Sequence, residues 1–413
     1  MTAGFGEARG PAPAPVPAAR ASLARLAGPL GIAVAVALGL GIALSAQRLA
    51  AEPGGTRLGL SLVLGALFGF VLQRSRFCFL CLWRDFLDTG DPRGMLGILT
   101  ALAAGLVGYA VVLGAWMPDP SGTRLPPDAH IGPVGPVLVL AGLAFGAGMA
   151  VSGSCISAHL YRLGEGSPTA PFALLGTALG FALGFATWNP LYLASVSEAP
   201  VLWLPRHLGY AGSLAASLAA LAALAWLLHR LGRVPGAAAE PASPLAAIFV
   251  ARWPTWIGGL AVGAIATAAY LRVAPLGVTA EIGGRTRQAA AQLGLLPERL
   301  EGLDTFRGCA TAVRDALLTP NGLFVGGLVL AAFAAALAAG QFRPAWPSPG
   351  QAVRGLLGGL LLGWGAMTGL GCSVGTLLSG VMAGAVSGWV FGFAMFAGVT
   401  ATLFAGRRLR LIP

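Results

Sequence analysis

The stretch Gly359–Gly380, GLLLGWGAMTGLGCSVGTLLSG, places Cys372 after an uncharged apolar run that is studded with glycine. The stretch Gly142–Gly166, GLAFGAGMAVSGSCISAHLYRLGEG, repeats this arrangement around Cys155. In both, glycines precede the cysteine by thirteen, nine and seven residues, with a methionine close behind and a polar cluster nearby. Matched offsets of this kind indicate an internal repeat that is centred on its cysteines.

The composition is that of a membrane protein. Hydrophobic residues make up 56% of the chain and charged residues only 10%, whereas soluble domains carry about 25% charged residues. Backbone inside a bilayer must satisfy its own hydrogen bonds, and the absence of a two-residue alternation favours helices over a barrel. The net charge is +11, and all 26 basic residues are arginine. With no soluble basic patch to carry it, cytoplasmic loops explain this charge better than nucleic acid does.

Hydropathy predicts an all-α polytopic protein with about ten spans. These lie at 28–46, 57–72, 94–117, 134–153, 169–187, 208–229, 254–271, 321–341, 353–371 and 383–405. We expect a disordered Pro/Ala-rich tail at 1–27, a first membrane repeat at 28–187 and an outer loop at 188–207. A second repeat follows at 208–405, with an outer insertion at 272–303, and a tail at 406–413.

The distribution of arginine orients the spans. With the N-terminus inside, 16 of the 26 arginines fall in cytoplasmic segments and six in the long outer segment 272–319. The short outer loops hold only Arg48, Arg57, Arg124 and Arg206. Because positive charge favours the cytoplasmic side, we expect both termini to be cytoplasmic.

A second motif repeats in the same order. Arg76-Phe77-Cys78 is followed by Arg84-Asp85, and Arg307-Gly308-Cys309 by Arg314-Asp315. Each half has five spans, an odd number, so the second half must enter the membrane inverted. Two inverted five-span repeats are an architecture of secondary transporters, whose site lies near the bilayer midplane.

The four matched cysteines, Cys78, Cys155, Cys309 and Cys372, are the predicted substrate path. A lone membrane cysteine is usually a small buried hydrophobe, but equivalent placement in two halves favours a shared role. Cys81 has no counterpart and is interpreted as structural. Cys78 and Cys81 form a C-x-x-C motif, which is compatible with redox chemistry. Cysteine together with methionine is compatible with binding of a soft metal. Both lack supporting context.

The glycine runs suit helices that break within the membrane, so that a half-helix N-terminus faces an anion. Polar or flexible residues at the breaks are predicted to support the path: Gly153, Ser154, Gly371 and Ser373. The arginines Arg76, Arg84, Arg307 and Arg314 either pair with Asp85 and Asp315 or attract an anion.

These duplicated units, in this order, resemble the YeeE/YedE family of sulfur-compound transporters over about residues 55–405. The resemblance implies a relay in which Cys155, Cys309 and Cys372 hydrogen-bond a sulfur anion and pass it along, with Cys78 at the remaining R-x-C position. It implies import of thiosulfate across a bacterial inner membrane by protonated thiols, with a cytoplasmic sulfur carrier of the TusA type as a possible recipient. We therefore expect a transporter, not an enzyme, with no cofactor and no metal. The alternatives are a selenium-compound or soft-metal transporter, and a membrane thiol redox enzyme or sulfurtransferase.

Overall fold

The computed structural model describes residues 29–233, 244–306, 316 and 318–410. The predicted tail 1–27 lies outside them, as do Arg307, Cys309 and Arg314. Within the described ranges the chain is helical, and its only β pairs are isolated bridges. The predicted all-α class is therefore confirmed.

The first half forms eight helices, starting with the first predicted span. They are α1 (Pro29–Ala51), α2 (Thr56–Ser75), α3 (Phe79–Thr89), α4 (Arg93–Trp116), α5 (Pro136–Ser152), α6 (Ile156–Gly164), α7 (Ala170–Ala186) and α8 (Trp188–Leu191). A π-helical turn, Tyr192–Val196, continues α8.

The second half begins at α9 (Leu204–Leu231). There follow α10 (Pro244–Phe249), α11 (Thr255–Arg272), α12 (Ala280–Gln292), α13 (Pro320–Ala338), α14 (Pro349–Thr368), α15 (Gly380–Met382) and α16 (Val386–Arg408). A 3-10 turn, Leu303–Thr305, precedes α13, and a π-helical turn, Ser373–Ser379, joins α14 to α15.

Each of the ten predicted spans corresponds to a long helix. Seven described helical segments are long and apolar enough to cross a bilayer, and two bent helix pairs bring the number to nine. The tenth helix, α11, is 18 residues long and falls outside this set because its Thr, Trp, Tyr and terminal Arg residues lower its mean hydropathy.

The central contact of the bundle joins α5 to α14. A Cβ on Gly148 would lie 2.6 Å from the carbonyl oxygen of Gly358, and one on Gly365 would lie 2.6 Å from that of Ala141. The contacts run in opposite directions along the two helices, so α5 and α14 are antiparallel. Glycine is needed here because the two backbones approach too closely for any side chain.

Most of the long helices of one half pack on a long helix of the other half. Helix α2 packs on α13 and α4 on α11, while α5 packs on α16 and α7 on α14. In each half, the second span packs on the third span of the other half, and the fourth span packs on the fifth span of the other half. Exchanging the two halves would therefore give the same four pairs.

The connections gather at two opposite ends of the bundle. At the end beyond α5, called the Cys155 end, the ion pair Arg407–Asp88 joins α16 to α3. At the end beyond α14, called the Cys372 end, Trp203 donates to the carbonyl of Ala383. The described chain therefore starts and finishes at the Cys155 end.

Candidate functional site

Each described cysteine of the matched set precedes the first residue of a helix. Cys78 precedes α3, Cys155 precedes α6 and Cys372 precedes the π-helical turn, all with extended backbone. None of the three is a side-chain cap for the helix that follows. The first N–H groups of such a helix have no partner within it and carry a partial positive charge. The helix breaks predicted for the glycine runs at Cys155 and Cys372 are confirmed, and the break at Cys78 is an additional finding.

The three breaks share a backbone turn. The residue two before each cysteine has a left-handed conformation: φ is 53° at Arg76, 86° at Gly153 and 58° at Leu370. Such values are uncommon for residues other than glycine, and persist where the surrounding structure enforces them. The residue equivalent to Gly153 is therefore Leu370, not Gly371, and the arginine of R-x-C is part of the turn itself.

The thiols of Cys78, Cys81 and Cys155 lie together at the Cys155 end. Cys78 lies within interaction distance of the other two, and both Cys78 and Cys155 are fully buried. The sulfur of Cys155 also lies 3.3 Å from the hydroxyl of Ser157. Cys81, interpreted from sequence as structural, thus belongs to what we call the thiol cluster: Cys78, Cys81 and Cys155.

Arg162 supplies the positive charge beside this cluster. Its Nη2 donates to the sulfur of Cys81 at 3.0 Å, and its Nη1 donates to the carbonyl of Gly153 at 3.3 Å. One guanidinium therefore joins α3 to the break before α6. In the sequence, Arg162 served only as one of the arginines that orient the spans in the membrane.

One hydrogen bond spans each of the two glycine-run breaks, and it joins equivalent positions in the two halves. In the first half, His159 Nε2 lies 3.1 Å from the hydroxyl of Ser152. In the second, Thr376 Oγ1 donates to the carbonyl of Gly369 at 3.1 Å. Both bonds join the fourth residue after the cysteine to the third residue before it. The two breaks are therefore bridged at the same positions by different chemical groups.

The predicted polar residues occupy these breaks. Ser154 and Ser373 are buried, and neither hydroxyl has a hydrogen-bond partner in the described part of the chain. A Cβ on Gly371 would lie 2.6 Å from Thr376 Oγ1, so the turn requires a small residue there. Two unpartnered hydroxyls beside the cysteines could donate to an anion.

Arg76 has a different partner from the one considered from sequence. Its Nη1 lies 3.4 Å from Glu165, and its Nη2 donates to Gln341 at 3.3 Å. No ion pair joins Asp85 to an arginine in the described ranges. The neighbouring Arg74, which is buried, donates to Gln341 at 2.9 Å and to the carbonyl of Phe249 at 2.8 Å. This network joins four connections at the Cys155 end.

Arg84 lines a cavity of about 120 Å³ together with Arg354 on α14. The wall continues over Ser152 and Gly153, next to Cys155. Arg354, His159 and Arg162 carried no predicted role in the path. The position of His159, one helical turn after Cys155, was the one sequence signal that could have identified it.

Cys372 lies far from the thiol cluster. It follows the end of α14, whereas Cys155 follows the end of the antiparallel α5. The separation along the bundle is on the order of the length of α5, about 25 Å at 1.5 Å per residue. The described thiols therefore lie at the two ends of the central helix pair.

Comparison with known proteins gives the same family as the resemblance of the sequence motifs. The profile of the Sulphur transport family matches residues 74–401. The chain is 30% identical to the thiosulfate transporter TsuA of Spirochaeta thermophila over 80% of this chain and 93% of that protein. It is 25% identical to Escherichia coli TsuA over 82% and 91% of the two chains, and 27% identical to the probable transporter YedE of E. coli over 38% and 37%. This chain belongs to the Sulphur transport (YeeE/YedE) family.

Proposed function

We propose that this protein imports thiosulfate across a bacterial cytoplasmic membrane, through a path that begins at Cys372 and ends at the thiol cluster. Membership of a transporter family and the two relatives named thiosulfate transporter support a small sulfur anion as substrate. In this orientation the Cys372 end is outside and the Cys155 end, with both chain termini, is cytoplasmic. Cys309, outside the described residues, would be the remaining member of the path.

The observation that carries the proposal is the shared turn at Cys78, Cys155 and Cys372. At each, a thiol and the N–H groups of a helix's first turn lie at the same point. The amide groups offer fixed positive charge to an oxyanion, and a thiol offers a weak, soft donor to its outer sulfur. A series of weak contacts lets a hydrated anion lose its water in steps. No single site then binds the anion so strongly that it cannot dissociate.

The thiols act in the protonated form. A thiolate would place like charge beside the anion, where low dielectric screens repulsion poorly. Neutral S–H groups donate to the anion and are not consumed, so the relay forms no covalent bond. A sulfur carrier of the TusA type would receive the anion on the cytoplasmic side.

A redox function is the second candidate, and one observation favours it. Cys78 and Cys81 lie side by side at the N-terminus of α3, with Arg162 hydrogen-bonded to Cys81. Helix N-termini and nearby cations are features of reactive C-x-x-C pairs. The two candidates differ in their need for Cys81, since the relay uses it only as the partner of Arg162.

Uptake of radiolabelled thiosulfate into proteoliposomes tests the proposal directly. We expect wild-type protein to accumulate the label and unlabelled thiosulfate to compete. Empty liposomes are the control for leakage. Absence of uptake by folded protein, together with thiol–disulfide turnover that requires Cys81, would support the redox function instead.

A further inference from the structure

The cavity that contains Arg84 and Arg354 has an unusual charge for a partly buried space. Its other polar side chains are Ser152, Thr169 and Gln351, and no carboxylate lines it. Within the described ranges, neither guanidinium takes part in an ion pair, although Arg76, Arg93, Arg285, Arg299 and Arg407 all do. Both arginines are partly exposed, and Asp85 and Asp88 lie near Arg84 without forming an ion pair with it. Two positive charges therefore share one small space whose wall holds no carboxylate, and such a space attracts an anion.

The cavity adjoins the thiol cluster. Ser152 and Gly153, in its wall, immediately precede the break at Cys155, and Leu80, also in its wall, lies between Cys78 and Cys81. The cavity wall therefore includes a residue within two positions of each thiol in the cluster.

The size of the cavity fits a small ion. Its volume is about 120 Å³, roughly ten times the ~10–15 Å³ that one water molecule needs. A tetrahedral oxyanion with a partial water shell fits, whereas a peptide or nucleotide does not. Guanidinium groups match the oxygens of such an anion with paired N–H donors.

We propose that Arg84 and Arg354 form a second anion site, an inner release site that binds a small divalent oxyanion after it leaves the thiol cluster. This inference rests on the proposed function for the identity of the anion and the direction of its movement. At this site two charges replace the soft thiol contacts, and water from the cytoplasm completes the shell. The same two arginines then decide how readily the anion departs.

A reporter thiol in the cavity measures binding without transport. Val151 lines the cavity at the end of α5 and is partly exposed, so Val151→Cys gives a thiol of similar size. Its alkylation, resolved by mass spectrometry in phosphatidylcholine nanodiscs, should be slowed by thiosulfate and by sulfate. In the Arg84→Gln/Arg354→Gln background, we expect the half-protecting concentration to rise at least about tenfold, equivalent to ~1.4 kcal/mol.

Matched variants keep the test specific. Arg343→Gln removes an equal charge from an exposed residue that does not line the cavity, and it should change protection less than about twofold. Arg84→Lys/Arg354→Lys keeps the charge and should retain most of the protection. If the double glutamine variant, shown to be folded by thermal unfolding, is protected as well as its parent, the site does not exist.

Parallel uptake assays separate this inference from the proposed function. Protection without thiosulfate uptake by the wild type would contradict transport and leave the anion site standing. Uptake without protection would contradict the site alone. Protection by phosphatidylglycerol with no added anion would mean that a lipid headgroup occupies the cavity, and would overturn its role in release.

Discussion

The guanidinium of Arg162 donates a hydrogen bond to the sulfur of Cys81 at 3.0 Å. Through its other terminal nitrogen, Arg162 also reaches the carbonyl of Gly153, in the left-handed turn before Cys155. A single side chain thus fixes the position of both C-x-x-C and the first glycine-run break. Their geometry depends on a residue that has no counterpart among the matched positions of the two repeats.

We expect Arg162→Lys to lower stability and uptake together. One ammonium group cannot reproduce a fork that reaches two acceptors on different elements, and loss of a charged hydrogen bond costs about 1.5–3 kcal/mol. Thermal unfolding in detergent and thiosulfate uptake would measure the two effects. The conservative change Arg343→Lys, at an exposed position, is the control. Unchanged uptake in Arg162→Lys would show that the guanidinium does not position the thiol cluster.

Serine substitutions should distinguish the cysteines of the path from Cys81. Cys155→Ser and Cys372→Ser should each lose about nine-tenths of uptake or more, because a hydroxyl is harder and more strongly hydrated than a thiol. Cys81→Ser should keep more than about half, since its oxygen can still accept from Arg162.

Membrane expression must be measured alongside, because equal losses in all three variants would indicate misfolding. Loss of uptake in Cys81→Ser alone would revive the redox function of the C-x-x-C pair.

The close crossing of α5 and α14 predicts a position-specific cost for alanine. In Gly148→Ala, the new methyl group would lie 2.6 Å from the carbonyl oxygen of Gly358, and the helices must separate at a cost of about 1–3 kcal/mol. Gly326→Ala places the same group where nothing lies within 4 Å. It should be neutral or stabilising by up to ~1 kcal/mol. Thermal unfolding of both variants would test the crossing, and equal melting temperatures would contradict it.

The two repeated motifs predict how the halves of the chain are related. We expect residues 28–187 to superpose on 208–405 after a rotation of about 180° about an axis in the membrane plane.

Cys309 should then fall on Cys78, and Cys372 on Cys155. An experimental structure by cryo-electron microscopy measures both. An axis along the membrane normal would refute the inverted repeat as stated.

His130 predicts a loss of stability in mild acid. It lies in the connection between α4 and α5, where burial lowers its pKa. The unfolded chain therefore takes up a proton near the ordinary histidine pKa of ~6.5, before the folded protein does. Stability should be complete above that pH and fall below it, by at most about 1.4 kcal/mol per pH unit.

His130→Gln should reduce this slope in thermal unfolding between pH 7 and pH 5, while His159, which is also buried, remains in the variant. His229→Gln, at an exposed ring on α9, should leave the slope unchanged. An unchanged slope in His130→Gln would assign the acid sensitivity to another group.

The sequence by itself determined the features that depend on neighbours along the chain. The low charge and long apolar runs predicted the helices, because backbone in lipid has few other solutions. The glycine runs located the breaks at Cys155 and Cys372, whereas the break at Cys78 is seen only in the structure. The helices and the two glycine-run breaks are local properties, legible from spacing alone.

The tertiary structure decided which distant groups meet. It placed Cys81 in the thiol cluster, paired Arg76 with Glu165 and brought Arg354 into one cavity with Arg84. The sequence does not distinguish these arginines, because Glu165 lies 89 positions from Arg76 and Arg354 lies 270 positions from Arg84. Which of them is neutralised and which faces an open cavity depends on how the helices pack, and only the assembled bundle fixes that.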